Sequence, residues 1–186
     1  DQILLRKLPV RAPDELVMLH QEGPHNGSNM GGRMHSYPMY KDFQQKAAPL
    51  AEVICRRLMP ASVTIDGQTE RVSAELVSGN YFTMLGVRPA AGRVFDSKED
   101  DQVYSGHPVV VIGYDYWVSR FARDPQVVGR KVLVNNYPMT IVGVSAQGFA
   151  GIDPVLAPQI RVPILMKEAM APEWSWVEMS DRRTRW

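Results

Sequence analysis

The stretch Val77 to Phe95, VSGNYFTMLGVRPAAGRVF, constrains this chain more than any other. Ser78-Gly79 turns the chain out of a strand, and Asn80 supplies a side chain suited to capping a helix start. Tyr81, Phe82, Met84 and Leu85 give the helix that follows an apolar face. Gly86 can take the left-handed conformation that ends a helix, and the stiff passage Pro89-Ala90-Ala91-Gly92 leads on to Phe95. No side chain in the stretch has a catalytic character. Turn, cap, aromatic anchor and helix stop in such close succession predict a crossing between two parts of the chain. The expected structural anchor or hinge is therefore Asn80, Tyr81, Phe82, Leu85, Gly86, Gly92 and Phe95.

Upstream, residues 1–13 mix leucines with basic residues and close on Pro9 and Pro13, which favours an extended lead-in over a continuing helix. Leu16 to His20 reads as a buried strand, and the Gly-, Asn- and Ser-rich residues 23–32 as an exposed loop. Ser36 before Tyr37-Pro38 marks a helix start. Tyr40, Phe43 and Ala47 share one face of that helix, which ends before Pro49. Ala51 to Leu58 and Ala61 to Ile65 read as paired strands, the second closed by the hairpin signal Asp66-Gly67. From Glu70 to Val77 apolar Val72, Ala74 and Leu76 alternate with Arg71, Ser73 and Glu75, which predicts a strand with one wet face.

Downstream, Asp96 with Glu99 matches a capping box, so a short helical turn is expected to open the acidic run 96–101. Val109-Val110-Val111-Ile112 is a continuous apolar run of the kind buried on both faces. Tyr114, Trp117, Val118 and Phe121 predict one helical face, stopped at Asp124-Pro125. Val132 to Val134 and Tyr137 to Val144 predict a hairpin around Asn135-Asn136. Gln159 to Leu165 reads as a last strand, with Pro163 suited to a sheet edge. Roughly eight strands and three or four helices without a repeating βαβ pattern predict an α+β fold.

Charge narrows the possible partners. Lys and Arg total 21 against 20 Asp and Glu, a net charge of +1, which argues against nucleic acid as a partner because that surface needs clustered basic charge. Cys55 is the only cysteine, so neither an internal disulfide nor a cysteine-based metal site is expected. No run reaches the roughly 18 apolar residues that span a bilayer, and Asp1 to Trp186 reads as a piece of a longer chain. His20, His25 and His35 match no metal-ligand spacing. Gly27-Ser28-Asn29-Met30-Gly31-Gly32 lacks the lysine and the strand-to-helix setting of a phosphate loop. The run 96–101 lacks the ligand pattern of a calcium loop and reads as a solvated turn. Cys55 reads as a buried structural thiol, and Arg182, Arg183 and Arg185 as a charged face. No catalytic, cofactor-binding or metal-binding residue is assigned, and the chain is not expected to be an enzyme.

VSGNYFTMLGVRPAAGRVF, followed by Pro108-Val109-Val110-Val111-Ile112-Gly113, Tyr116-Trp117 and Phe121, resembles the MacB-like periplasmic core domain of FtsX-type ABC transporter permeases. Asp124-Pro125, Val128-Gly129-Arg130, LVNNYPMTIVGV (Leu133 to Val144) and Arg161-Val162-Pro163 continue the series in order. Ser36-Tyr37-Pro38 with Asp42 resembles the family's first helix start, and Leu5-Arg6-Lys7-Leu8-Pro9 the segment after its first membrane helix; the likeness is strongest to the duplicated permeases of soil bacteria. The resemblance implies a periplasmic, extracytoplasmic domain of a cytoplasmic-membrane protein, set between two transmembrane helices. It implies two lobes: a porter-like sheet-plus-helix lobe of residues 14–95 with 151–186, truncated at its C-terminal end, and a smaller β-rich lobe of 96–150. Residues 1–13 would be a juxtamembrane lead-in. The implied partners are the permease's own transmembrane helices, a cytoplasmic ABC ATPase that binds the ATP and Mg, and a periplasmic adaptor or second permease half. The implied work is non-catalytic coupling of ATP-driven motion to efflux or extraction. The competing reading is an extracytoplasmic small-ligand binding or sensor module with its ligand between the lobes; a hydrolytic enzyme would require a Ser, His and carboxylate gathered in one pocket.

Overall fold

The computed structural model describes residues 8–21, Gly27, 34–153 and 155–186. The lead-in before residue 8, His25 and the 23–32 loop apart from Gly27 lie outside the described residues. Strand β1 (Arg56–Ile65) and strand β2 (Gln68–Val77) form an antiparallel hairpin. Its turn residues Asp66 and Gly67 have φ of 52° and 78°, the left-handed pair a tight two-residue hairpin demands. The expected break between Leu58 and Ala61 does not occur, and β1 runs straight through Pro60. Pro60 lies opposite Ser73, whose own N–H and C=O bond Gln159 on the far side. The missing N–H of Pro60 therefore falls on the edge away from β2, where the ladder requires no donor.

Five more strands complete the sheet: β3 (Pro89–Gly92), β4 (Val109–Ile112), β5 (Lys131–Val134), β6 (Tyr137–Ser145) and β7 (Ile160–Pro163). The order is β3-β6-β4-β7-β2-β1-β5, and β5 also pairs with β6. Six strands thus close into a ring, and β3 extends it beyond β6. The β5–β6 turn residues Asn135 and Asn136 have φ of 48° and 63°, as an Asn-Asn hairpin predicts. Pro163 does not sit at a sheet edge, since β7 lies between β4 and β2. It is tolerated because β4 pairs with β7 only through Ile160 and Arg161, leaving the end of β7 without a neighbour to donate to on that side.

Alternation along the strands produces two cores. Val63, Ile65, Val110, Ile112, Val134 and Ile141 point into the ring and leave a void of only about 10 Å³, so the barrel interior is filled with side chains. Helix α3 (Tyr114–Phe121) brings Tyr116 and Phe121 to that interior. Its expected face is thereby altered, with Val118 exposed and Tyr116 buried, because the Tyr116 hydroxyl donates to Glu70 on β2 at 2.8 Å. Val77 and Val111 point outward instead, to a second core built around helix α2 (Tyr81–Leu85). This two-sided burial accounts for the unbroken apolar run of β4. Strand β4 hydrogen-bonds to β7, β5 to β1 and β6 to β3, so the sheet is continuous across residue 95.

Three further expectations are corrected. Residues 16–20 form no strand; Val17 is 85% and Met18 60% exposed, and only Leu16 packs, against the second core. Residues 51–55 are irregular, and β1 starts at Arg56. Arg185 is buried rather than part of a charged face. The tail that carries it closes the barrel mouth, with Met170 of helix α4 (Lys167–Met170), Val177, Met179 and Trp186 joining the first core. Arg182 pairs with Asp42 of helix α1 (Tyr37–Ala47) at 2.5 Å and ties the tail down.

Candidate functional site at the second core

Helix α2 is too short to persist alone, so its surroundings must hold it. Tyr81, Phe82 and Leu85 are wholly buried. The Phe82 ring lies 5.4 Å from Tyr81, 5.6 Å from Phe95 and 6.2 Å from Phe149, within the range of favourable edge-on contact. The chain leaves the helix through Phe95 and returns through Phe149, so both passages close on one aromatic cluster. Gly86 ends the helix at φ 68°. Arg11 clips that end, its N–H donating to the Leu85 carbonyl at 2.8 Å and its guanidinium to Met84 at 3.2 Å. A Cβ on Gly86 would come within 2.9 Å of the Arg11 Cβ. Gly92 has φ 64°, and a Cβ there would collide with the Val142 carbonyl oxygen; glycine is what lets β3 lie against β6.

Asn80 does not cap the helix through its side chain. Its amide donates to the Val53 carbonyl at 3.1 Å, because the 51–55 connector runs alongside and offers an acceptor. Asp96 does open the expected single helical turn, its carbonyl accepting from the Glu99 and Asp100 N–H groups at 3.2 and 2.8 Å, with Asp100 in place of Glu99 bonding back. Asp96 accepts from the Lys98 N–H at 2.7 Å, and its own N–H donates to Asp100 at 3.0 Å. The acidic run is not simply solvated. Asp100 is buried and receives both Nη atoms of Arg93, at 2.6 and 3.0 Å, a two-pronged geometry that favours arginine. Asp101 accepts from the Gly79 N–H at 3.3 Å, and burial holds its carboxyl above the ordinary range. The run straps over the turn where α2 begins.

Beneath α2 lies a charge network that alternation alone assigns to a wet face. Glu75 on β2 and Arg161 on β7 are opposite each other in register and both wholly buried. Arg161 Nε donates to Glu75 Oε2 at 2.9 Å, Arg56 Nη1 to Oε1 at 2.9 Å, and the Tyr81 hydroxyl to Oε2 at 3.2 Å. Arg161 Nη2 donates to the Ala150 carbonyl at 3.1 Å, and the guanidinium sits 4.9 Å from the Phe149 ring. Arg56 reaches on to Asp153 at 3.4 Å. Burial alone would lower the Arg56 pKa, but the hydrogen bond to Glu75 and its charge, with Tyr81 and Asp153, together outweigh it and raise it. Asp153 is held low chiefly by the N–H groups of Val155 and Leu156. One carboxylate between two guanidiniums thus joins β1, β2, β7, α2 and the 146–153 return loop. A signal was present in the sequence: Arg161 interrupts the otherwise apolar Ile160–Pro163.

The network is mutually neutralising rather than reactive. The Cys55 thiol is pushed up by burial, then further by Asp101, which leaves it a poor nucleophile. His35 Nε2 lies 3.3 Å from the Leu19 carbonyl and its ring meets Phe43 edge-on. Among the described residues no group of His, Cys, Asp or Glu is placed to hold a metal ion.

A family model for the MacB-like periplasmic core domain matches residues 8–183. The chain is similar to the solved periplasmic region of MacB from Actinobacillus actinomycetemcomitans, with 17% identity, a TM-score of 0.59, and 87% of this chain and 68% of that one covered. It is similar to the extracellular domain of the ABC-type transporter YknZ from Gram-positive bacteria, at 12% identity and TM-score 0.58 over 77% of this chain and 73% of that one. A permease-protein domain from Porphyromonas gingivalis aligns at 17% identity and TM-score 0.52, over 80% of this chain and 60% of that one. No curated protein sequence matches. Identities this low speak for the fold, whereas the family match covers nearly the whole chain. No helix among the described residues is long and apolar enough to cross a membrane. The chain belongs to the MacB-like periplasmic core domain family and is an extracytoplasmic domain of a MacB-like ABC transporter permease.

Proposed function

We propose that this domain performs no chemistry and acts as a transmission element, carrying ATP-driven movement of the permease's membrane helices to substrates or partners outside the membrane in efflux or extraction. Family membership over residues 8–183 carries the reading. Permeases of the MacB and YknZ type work with ABC ATPases, so ATP and Mg belong to that subunit and this chain holds no cofactor. A periplasmic adaptor or a second permease half is the partner proposed on the outer side. The anchor of the transmission is the second core, with Asn80, Tyr81, Phe82, Leu85, Gly86, Gly92 and Phe95 as its fixed points. Arg11 supports this role, since the segment leading into the domain clips directly onto the end of α2. Division into lobes at residues 95 and 150 is part of the proposal, with the shared sheet limiting how far the two can move apart.

The test uses the full-length permease with its ATPase in membranes. Phe82→Leu with Phe149→Leu should leave membrane levels and basal ATP hydrolysis intact while export, read as resistance of a sensitised host to macrolides and antimicrobial peptides, falls at least about tenfold. Hydrolysis and export falling together, or export unchanged at equal protein levels, overturns the transmission role. ATP hydrolysis by the isolated chain overturns the non-catalytic assignment.

A further inference from the structure

Half of β1 has an edge that the sheet does not use. β5 pairs with β1 only at Val63 and Thr64. Asn135 then ends the pairing, its N–H donating to the Ser62 carbonyl and its side-chain oxygen accepting the Ser62 N–H. The C-terminal tail lies over the remaining edge without filling the space beside it. A cavity of about 210 Å³ is left, lined by Arg57, Met59 and Leu76 from the strands and by Lys167, Met170 and Trp186 from the tail.

Two cations meet at this cavity. Lys167 is buried and donates to the Val177 carbonyl, and its ammonium lies 5.6 Å from the Trp186 ring. The Arg57 guanidinium lies 5.7 Å from the same ring. Burial lowers the pKa of each; at Lys167 the neighbouring Glu168 carboxylate opposes that lowering and Arg57 adds to it. Glu173, which also borders the cavity, is exposed to solvent. Positive charge gathered at a low-dielectric wall concentrates an anion there. Methionine and leucine walls exclude a fully hydrophilic one, because its outward oxygens would lose water without gaining donors. A cavity of about 150 Å³ holds benzene, so this one fits a ring bearing one charged group.

We propose that this cavity binds a small organic carboxylate, with its head toward Arg57 and Lys167 and its apolar body against Met59, Leu76 and Met170. The site is separate from the second core, and the proposal does not depend on the transmission role.

The experiment titrates benzoate into the 186-residue protein carrying ¹³C-methyl methionine, with benzyl alcohol and inorganic phosphate as parallel probes. Benzoate should shift the Met59 and Met170 methyl resonances saturably, with a Kd of about 1 mM for a ligand of this size. Benzyl alcohol and phosphate should each bind at least about tenfold more weakly, and Lys167→Met or Arg57→Gln should weaken benzoate about tenfold, the loss expected for one charge-assisted hydrogen bond. Benzyl alcohol binding as well as benzoate overturns the charge recognition. Phosphate binding as well overturns the organic acid, and shifts confined to other methionines overturn the site. Should either variant fail to fold, the ratios among the three probes on the unaltered protein still decide the matter.

Discussion

Replacing Arg161 by methionine tests whether the second core is a single electrostatic unit. The change removes a guanidinium that is wholly buried and bonded to Glu75 and to the Ala150 carbonyl. Glu75 keeps Arg56 and the Tyr81 hydroxyl, so its charge is not stranded, but one strong donor is gone and the return loop is released. Breaking a buried pair by removing one partner costs about 3–5 kcal/mol, and the retained partners place Arg161→Met near the lower end. With a slope of about 2–4 °C per kcal/mol for a chain of this size, Tm should fall by roughly 6–12 °C. Glu75→Leu should cost as much or more, because it leaves two guanidiniums facing an apolar residue. The double variant should then cost less than the sum of the singles by about 2–3 kcal/mol, the coupling typical of neighbours in one network. Guanidinium chloride unfolding followed by tryptophan fluorescence reads all three values. Arg130→Met supplies the contrast: its partner Asp66 is largely exposed, and an exposed pair is worth about 0–1 kcal/mol. Additivity of the two core substitutions within about 0.5 kcal/mol, or a loss at Arg161 no larger than at Arg130, would refute the reasoning.

Gly92→Ala should cost at least about 1–3 kcal/mol through its φ of 64° and the collision with Val142, and should speed amide exchange at Arg93, which donates to Val142 at 2.9 Å; unchanged exchange there contradicts the close-approach role. Burial holds the Asp101 carboxyl above its ordinary range, so the folded state binds that proton more tightly than the unfolded one, and stability from the group is present at low pH and lost as pH rises through the raised value. Asp101→Asn should therefore raise Tm at pH 7, a gain that disappears below about pH 3.9; a gain equal at both pH values would exclude titration as its source. The Cys55 thiol, pushed up by burial, should react with iodoacetamide at neutral pH at least about tenfold more slowly than a free thiol, and equal rates would show the site to be open.

Local chemistry explains what the sequence reveals and what it hides. Both hairpins follow from their turn residues, because Asp66-Gly67 and Asn135-Asn136 tolerate the positive φ that a tight connection imposes. The burial of Tyr81, Phe82 and Leu85 and the left-handed Gly86 are likewise written in three apolar side chains and a glycine within one short segment. Long-range competition decides the rest. Asn80 has cap chemistry, yet the Val53 carbonyl takes its amide; Leu16 to His20 has strand composition, yet it pairs with no described strand. Such outcomes depend on which distant backbone arrives alongside, and no window of neighbouring residues contains that information.

Glu75 is the sharpest case. By period-two alternation it shares a face with Arg71 and Ser73, and a strand with one wet face is the economical expectation. The outer face of β2 is not uniform, and alternation carries no sign of that. Along that face Arg71 is exposed, Ser73 is half-buried, and Glu75 and Val77 are wholly buried. The strand dips beneath α2 and the 146–153 loop over its last third, so the environment changes while the polar pattern does not. A carboxylate at that depth requires compensating charge, and two chain-distant residues provide it: Arg161, opposite on β7, and Arg56, diagonal on β1. The burial of charge is thus a signature of the same crossing that the glycines and aromatic residues mark from the other side. Pairing Glu75 with Arg161 fixes β2 to β7 in parallel register directly below the point where α2 sits, and a one-residue slip would set the carboxylate against Ile160 or Val162. The polar pair therefore specifies register where apolar packing alone would tolerate a shift.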